Sequence, residues 1–176
     1  MANDKDKSLV NRVASSGLIT INLEDFFPKE ELAIFDLKDY LFMEMILKEK
    51  DFRADLKEHD WTQYEGKNMA VHCSADAIIP VWAYMLVAAN AAPFANMIFQ
   101  GDAETFYKMV FHKALESIDG SDYDQKRVVI KGCSNKPVPP SAYMELTRKL
   151  QPHVQSVMYG EPCSTVPVFK RPRKLK

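Results

Sequence analysis

The sequence has few of the residues that mark several familiar classes of protein. Its 176 residues include only three cysteines and six glycines. An odd number of widely spaced cysteines does not make a disulfide framework, and no two of them form a CxxC pair. No glycine-rich phosphate loop is present, which argues against nucleotide binding. The number and spacing of the cysteines therefore exclude a small secreted domain held together by disulfides, and they predict free thiols in a reducing cytoplasm.

A strong charge of either sign is also missing. The formal net charge is −1, so the chain as a whole has no electrostatic attraction for nucleic acid. The polar stretch Met1 to Lys7 lacks the apolar core of a signal peptide. The uncharged stretch between Asp76 and Asp102 is interrupted by Pro80 and Pro93 and has no positively charged flank. We interpret it as a buried helix, and we expect a cytoplasmic protein that binds neither membranes nor nucleic acid.

The hydrophobic pattern predicts a single α/β domain over residues 18–169, preceded by a flexible arm (residues 1–17) and followed by a basic disordered tail (residues 170–176). Short β-branched or alternating runs separated by amphipathic segments are typical of a small, mainly parallel sheet flanked by helices, here with strands and a helix near the N-terminus. The predicted strands are Leu18–Asn22, Leu32–Phe35, Asn68–His72, Arg127–Lys131, Val154–Tyr159 and Val166–Phe169, and the predicted helices begin at Leu37, Pro80, Ala103 and Pro140.

Each cysteine follows a predicted strand and precedes a serine. Carboxyl ends of parallel strands meet at one edge of a sheet, so we expect these turns to converge in space. Serine also favours turns and helix N-caps, which is a plain reason for part of the pattern. Beyond these turns we find no internal repeat. The three turns are Cys73-Ser74, Cys133-Ser134 and Cys163-Ser164.

Convergent thiolates would suit metal ligation, which is the first functional hypothesis. Thiolate sulfur is the preferred ligand of iron–sulfur clusters and of structural zinc. Serine hydroxyls beside the cysteines could bond to sulfur and tune the site. The metal ligands would be Cys73, Cys133, Cys163 and His72, with His112 as another candidate for the fourth position and with Ser74, Ser134 and Ser164 around the cofactor.

Two alternatives remain open beside metal binding. The protein could be a thiol enzyme or sulfur carrier with Cys163 as nucleophile, Glu161 or His153 as proton partner, and Cys133 to resolve an oxidised form. It could also be a non-catalytic binding or scaffold module whose cysteines are merely buried, because free cysteine is among the most buried residues. The residues alone do not decide whether the protein is an enzyme.

Four stretches carry a family resemblance: LKEKDFRADLKEHDW (Leu47 to Trp61), HCSADAIIPVWAYM (His72 to Met85), IKGCSNKPVPPSAYMELT (Ile130 to Thr147) and SVMYGEPCSTVPV (Ser156 to Val168). They resemble a bacterial family catalogued as domain of unknown function 2480, over about residues 20–169. Such a family assigns no catalytic residues. The resemblance implies relatives encoded near genes for iron–sulfur assembly by sulfur mobilisation. It therefore implies iron–sulfur assembly proteins as partners and raises the expectation of metal or sulfur chemistry at the cysteines.

Overall fold

The structure, a computed structural model, describes residues 17–132 and 135–172. It confirms the α/β class, with mainly parallel strands flanked by helices. None of the helices in this part of the chain has the length and apolar character needed to cross a membrane. In chain order the elements are β1 (Leu18–Asn22), β2 (Leu32–Asp36), α1 (Glu49–Glu58), β3 (Asn68–His72), α2 (Val81–Ala91), β4 (Met97–Gln100), α3 (Ala103–Glu116), β5 (Arg127–Lys131), α4 (Pro140–Leu150), β6 (Ser156–Glu161) and β7 (Ser164–Lys170).

The strands form two small sheets instead of the one that we expected. One sheet has the order β1-β5-β6-β7, in which only β7 runs antiparallel to its neighbour. The other has the order β2-β3-β4 and is wholly parallel. The chain divides into two compact units, with Met1–Phe27 and Phe111–Lys176 in unit 1 and Pro28–Val110 in unit 2. The single domain over residues 18–169 stays a prediction.

The two units follow the same plan. Unit 2 has a strand that ends in a 3₁₀ turn, then a helix, a second 3₁₀ turn, a parallel strand, a second helix and another parallel strand. Unit 1 has the same series, with β1 and its 3₁₀ turn before Pro28 and the rest, from the second half of α3, after Val110. From the second 3₁₀ turn onward, each element of unit 1 starts 59 residues after its counterpart in unit 2, as in Asn68 to Arg127 and Val81 to Pro140. The chain therefore contains an internal repeat, and the expectation that it has none was wrong.

The same offset pairs the side chains of the two cores. Phe52 and Leu56 of α1 correspond to Phe111 and Leu115 of α3, and all four are buried. Every third or fourth position then faces the sheet, as in an amphipathic helix. The buried stripe of α2 is matched by that of α4. Identical pairs include Asp60 and Asp119, Tyr64 and Tyr123, Pro80 and Pro139, Ala83 and Ala142, Tyr84 and Tyr143, Met85 and Met144, and Gly101 and Gly160.

The paired glycines show that the backbone repeats as well. Gly101, just after β4, has φ +144°, and Gly160, at the same place in β6, has φ +113°. Side chains are rarely tolerated at such angles, whereas glycine adopts them without a steric penalty. Each unit therefore uses glycine to make the same bend at the end of its last parallel strand.

One predicted helix differs from the structure. Asp36 does cap a turn, since its side chain accepts a hydrogen bond from the N–H of Lys38, but the turn is a 3₁₀ turn that ends at Tyr40. The chain then reverses at Met43 and Glu44, which both have positive φ, and α1 begins only at Glu49. Side-chain capping favours turns as well as helices, so the cap alone did not predict helix length. The helices predicted from Pro80, Ala103 and Pro140 are confirmed.

Candidate functional site

Asp36 and His72 lie opposite each other at the carboxyl ends of β2 and β3. The Asp36 Oδ1 atom accepts hydrogen bonds from the N–H groups of Lys38 (2.9 Å) and Ser74 (3.0 Å). The His72 Nε2 atom is 4.0 Å from Asp36 Oδ2. Burial raises the pKa of Asp36, but the bonds from Ser74 and Lys38, with the charge of His72, outweigh it and the pKa is lowered. Asp36 thus fastens the Cys73-Ser74 turn to the end of β2.

Cys73 is half-buried against the core of unit 2. Its Sγ atom lies 3.6 Å from the carbonyl oxygen of Ala75, as a weak donor. Burial and the nearby Cys73 raise the pKa of Tyr84. A hydrogen bond with Gln100 acts in the opposite direction but is outweighed. These contacts are those of a packed side chain, which is how free cysteines usually occur in cores.

The corresponding edge of unit 1 carries an ion pair. Lys131 Nζ at the end of β5 lies 3.3 Å from Glu161 Oε2 at the end of β6. Cys163 is exposed in the turn between β6 and β7, and exposed Ser164 begins β7. In the sequence, two of the three Cys-Ser pairs therefore come after neighbouring strands of one sheet. Cys133 and Ser134, which come after β5 in the sequence, lie outside the described residues.

The three cysteines do not come after strands of a single sheet, as we had expected, because β3 belongs to a different sheet from β5 and β6. Among the described residues, no group of three or more His, Cys, Asp or Glu side chains is placed to hold a metal ion. His112 is exposed on α3, where Glu145 Oε2, 2.9 Å from its Nδ1, raises its pKa. The metal ligand set stays a prediction.

A histidine that the sequence analysis did not single out joins two tyrosines in unit 2. His59 Nδ1 lies 3.0 Å from the Tyr40 hydroxyl, and His59 Nε2 lies 3.0 Å from the Tyr64 hydroxyl. The Gln63 amide is also 3.2 Å from Nε2, so we assign Nε2 as acceptor and Nδ1 as donor. Burial lowers the pKa of His59 and raises that of Tyr40 to about 12. His59 and Tyr40 therefore both favour their neutral forms.

Unit 1 has an open groove of about 830 Å³ between α4 and the strands β5, β6 and β7. Most of its lining is apolar. Tyr143 and Tyr159 meet edge to face there, with ring centroids 5.7 Å apart. Met144 is 75% exposed and Val168 is 54% exposed, so the groove presents large apolar side chains to solvent. Concave sites of this size and composition are typical of ligand binding.

The lining of the groove changes from apolar to polar along α4. Pro140, Tyr143 and Met144 lie towards its N-terminal end, and Thr147, Arg148 and Gln151 follow towards its C-terminal end. At the rise of an α-helix this stretch is about 16 Å long. One end of the groove is therefore apolar and the other end is polar.

The sequence contained a signal for this groove. The core stripe of α4 is Ala142, Leu146 and Leu150, so Tyr143 and Met144 are apolar residues off that stripe. A second apolar stripe on a short helix indicates a second contact surface. The strand at Val166–Phe169 was predicted, but its antiparallel place beside β6 was not, since that depends on pairing between the two strands.

A family model described as "Protein of unknown function (DUF2480)" matches residues 7–171. The chain belongs to the DUF2480 family. No curated protein and no solved structure matches this DUF2480 chain.

Proposed function

We propose that this DUF2480 protein is a non-catalytic, cytoplasmic binding module, and that the groove of unit 1 holds an amphiphilic small molecule with an apolar chain and an anionic head. The observation that carries the proposal is the polarity gradient along α4, from Pro140 and Met144 to Arg148. An apolar chain would lie over the first part and a carboxylate or phosphate would meet the guanidinium.

The apolar part of the groove supplies the driving force. Burial of apolar surface contributes about 25 cal/mol per Å², and a chain in the groove would cover Met144 and Val168, which are largely exposed. Exposed apolar side chains that cluster around a concave surface usually mark a binding site. Affinity therefore depends mainly on the chain, and orientation on the head group.

Arg148 gives the groove its preference for an anion. It is the only cationic side chain in the lining and it is exposed in the last turn of α4. No described carboxylate forms an ion pair with it. A guanidinium offers a planar, bidentate set of donors that suits carboxylate and phosphate groups.

Unit 2 provides a natural contrast. The residues equivalent to Thr147, Arg148 and Gln151 are alanines, namely Ala88, Ala89 and Ala92. Unit 2 has no described counterpart of β7 either. The same helix face in unit 2 thus lacks both the cation and the third strand, and we expect it not to bind the ligand.

The test is calorimetric titration of the full chain with dodecanoate, and with dodecanol as the uncharged probe. We expect Arg148→Gln to weaken dodecanoate binding about tenfold, the effect of losing about 1.4 kcal/mol of charge-assisted bonding, and to leave dodecanol binding unchanged. Met144→Lys should abolish binding of both probes. Met85→Lys, at the equivalent exposed position of unit 2, is the matched control and should have no effect.

Two results would contradict the groove proposal. The first is dodecanoate binding that Met85→Lys and Met144→Lys weaken equally, which would indicate adsorption to apolar surface in general. The second is no binding of either probe at concentrations up to their solubility. Circular dichroism of each variant verifies that α4 and the sheet remain folded.

A second candidate function is that of an iron–sulfur or zinc accessory protein working with iron–sulfur assembly proteins. It is favoured by the Lys131–Glu161 ion pair, which joins the ends of the adjacent strands β5 and β6, each followed two residues later by a Cys-Ser pair. Thiolate sulfur fits zinc and iron–sulfur clusters alike. The reduced thiols also suit the proposed cytoplasmic location.

Metal and sulfide content of protein purified without oxygen tests this candidate. Stoichiometric metal that is lost in both Cys133→Ser and Cys163→Ser, and retained in Cys73→Ser, would support it. Metal-free wild type that cannot be reconstituted with iron and sulfide or with zinc would rule it out. The exposed Cys163 would then be examined as a nucleophile by its rate of alkylation against pH.

A further inference from the structure

The last strand of the sheet in unit 2 has an open edge. β4 pairs with β3 on one side, and no other described strand pairs with it. Its counterpart in unit 1, β6, pairs on both sides, with β5 in parallel and with β7 in antiparallel orientation. The internal repeat therefore shows what kind of neighbour this edge accepts.

The backbone of β4 presents hydrogen-bonding groups on that open side. The Gly101 N–H donates to the carbonyl oxygen of Val71 in β3, at 2.9 Å. Backbone groups alternate in direction along a strand, so Phe99 and Met97 also face β3, and Ile98 and Gln100 face away from it. In β6 the equivalent of Ile98 is Val157, which lies opposite Phe169 of β7.

The open edge lacks the features that usually prevent strands from pairing between molecules. Natural edge strands carry charged residues, proline or bulges that block another strand. β4 is Met-Ile-Phe-Gln, with no charge and no proline. The outer strand of unit 1, β7, does contain Pro167 and ends in Lys170. The difference indicates that another strand pairs with the edge of β4.

We propose that β4 pairs in antiparallel orientation with β4 of a second copy of this chain, about a two-fold axis at Ile98. In this register Ile98 lies opposite the second copy's Ile98, and Met97 lies opposite the second copy's Phe99. Both pairs are apolar, and cross-strand pairs of this kind stabilise sheets. No charge is repeated across the axis. An isologous interface of this kind satisfies both open edges at once, and this favours a second copy over an unrelated strand.

A cysteine scan tests the register. In a chain whose native cysteines are replaced by serine, Ile98→Cys places two thiols opposite each other across the axis. Residues in a hydrogen-bonded antiparallel pair have Cα atoms about 5.5 Å apart, within the range of a disulfide. We expect mild oxidation to link Ile98→Cys into a covalent dimer. Met97→Cys is the matched control and should not link, since it faces Phe99.

Light scattering after size exclusion, over a range of concentrations, tests the association itself. Wild type should be a dimer at high concentration. Gln100→Pro removes an N–H that faces the open edge and should weaken dimerisation at least tenfold, whereas Gln100→Ala removes only the side chain and should not. Wild type that is monomeric at every concentration would overturn the proposal. So would a dimer that persists in Gln100→Pro, or equal linking of Met97→Cys and Ile98→Cys.

Discussion

Trp61 in unit 2 and Gly120 in unit 1 begin the same 3₁₀ turn, although one is the largest side chain and the other has none. A Cβ atom on Gly120 would lie only 2.5 Å from the carbonyl oxygen of Lys149 and 2.7 Å from His153 Cδ2. The second helix of each unit differs in the opposite sense, because Ala91 of α2 corresponds to the larger Leu150 of α4, and both are buried. Cores tolerate such exchanges when volume and pattern are kept. A shared backbone plan therefore accommodates two differently filled cores.

The two units also differ in the polarity of the side chains at three equivalent positions. Unit 2 packs Tyr40, His59 and Tyr64 together through hydrogen bonds. At the equivalent positions unit 1 has Phe26, Ile118 and Tyr123, which pack against its core. In unit 2 the hydrogen bonds fix the geometry of these side chains and include a histidine, whereas the equivalent side chains of unit 1 pack against its apolar core. The two units should thus respond differently to mutation and to pH.

The largest effect is expected from truncating the matched phenylalanines. Phe52→Ala and Phe111→Ala should each lower the free energy of unfolding by about 3–5 kcal/mol, the usual cost of such a cavity. Both tryptophans, Trp61 and Trp82, lie in unit 2, so tryptophan fluorescence during urea unfolding reports on that unit alone. Phe52→Ala should shift the fluorescence midpoint more than Phe111→Ala does. Equal shifts by both variants would show that the units unfold as one domain.

A smaller effect, and a difference between the units, is expected at the paired glycines. Gly101→Ala and Gly160→Ala should each cost about 1–3 kcal/mol, because alanine is strained at their positive φ. The cost should be higher at Gly160, where the new Cβ would lie 2.7 Å from the backbone oxygen of Ser164. At Gly101 it would lie 2.7 Å from the Phe99 ring, which can rotate away. Urea unfolding followed by circular dichroism measures both, and a higher cost at Gly101 would contradict the comparison.

The smallest effect is a pH dependence of opposite sign in the two units. Burial lowers the pKa of His59 below its ordinary value of 6.5, so the unfolded chain takes up the proton first as pH falls. Unit 2 should therefore be fully stable above about pH 6.5 and lose stability below it. His112 has a raised pKa beside Glu145, so its contribution to unit 1 is present at low pH and lost as pH rises.

Fluorescence-detected unfolding between pH 5 and 8 tests this difference, with the pH range set by the ordinary pKa of histidine, about 6.5. His59→Gln should flatten the loss of stability of unit 2 at low pH. His112→Gln should leave the fluorescence transition unchanged. A loss at low pH that persists in His59→Gln would assign it to another group.

Most of the elements could be predicted from the sequence, and the reasons are local. β1, β3 and β5 are short apolar or alternating runs, and α4 begins at a proline that fixes the first helical angle. β4 was missed because Met-Ile-Phe-Gln follows an apolar helix without any change in composition. Without β4 the two units do not look alike. Only about one residue in five is identical between them at the 59-residue offset, so the repeat was not recognised from the sequence.

The candidate site was less accessible from the sequence. The Cys-Ser pattern drew attention to strand ends, but Cys73 of the pattern aligns with Gly132 in the repeat, not with Cys133. The Cys-Ser pairs that look alike in sequence are therefore not at equivalent positions of the two units. The groove beside α4 was missed because it needs Val168 of β7 to lie across β6 from Tyr143, and no local preference specifies that.

By itself the sequence determined the class of the fold, the starts of three of the four described helices, and the free, unpaired state expected for its thiols. These follow from periodicity, caps and composition, which act over a few residues. Only the tertiary structure decided that seven strands divide into two sheets, that the edge of β6 is covered and that of β4 is open, and that an apolar groove ends at Arg148. Strand partners are chosen by burial and hydrogen bonding between residues far apart in the chain, which a local pattern does not encode.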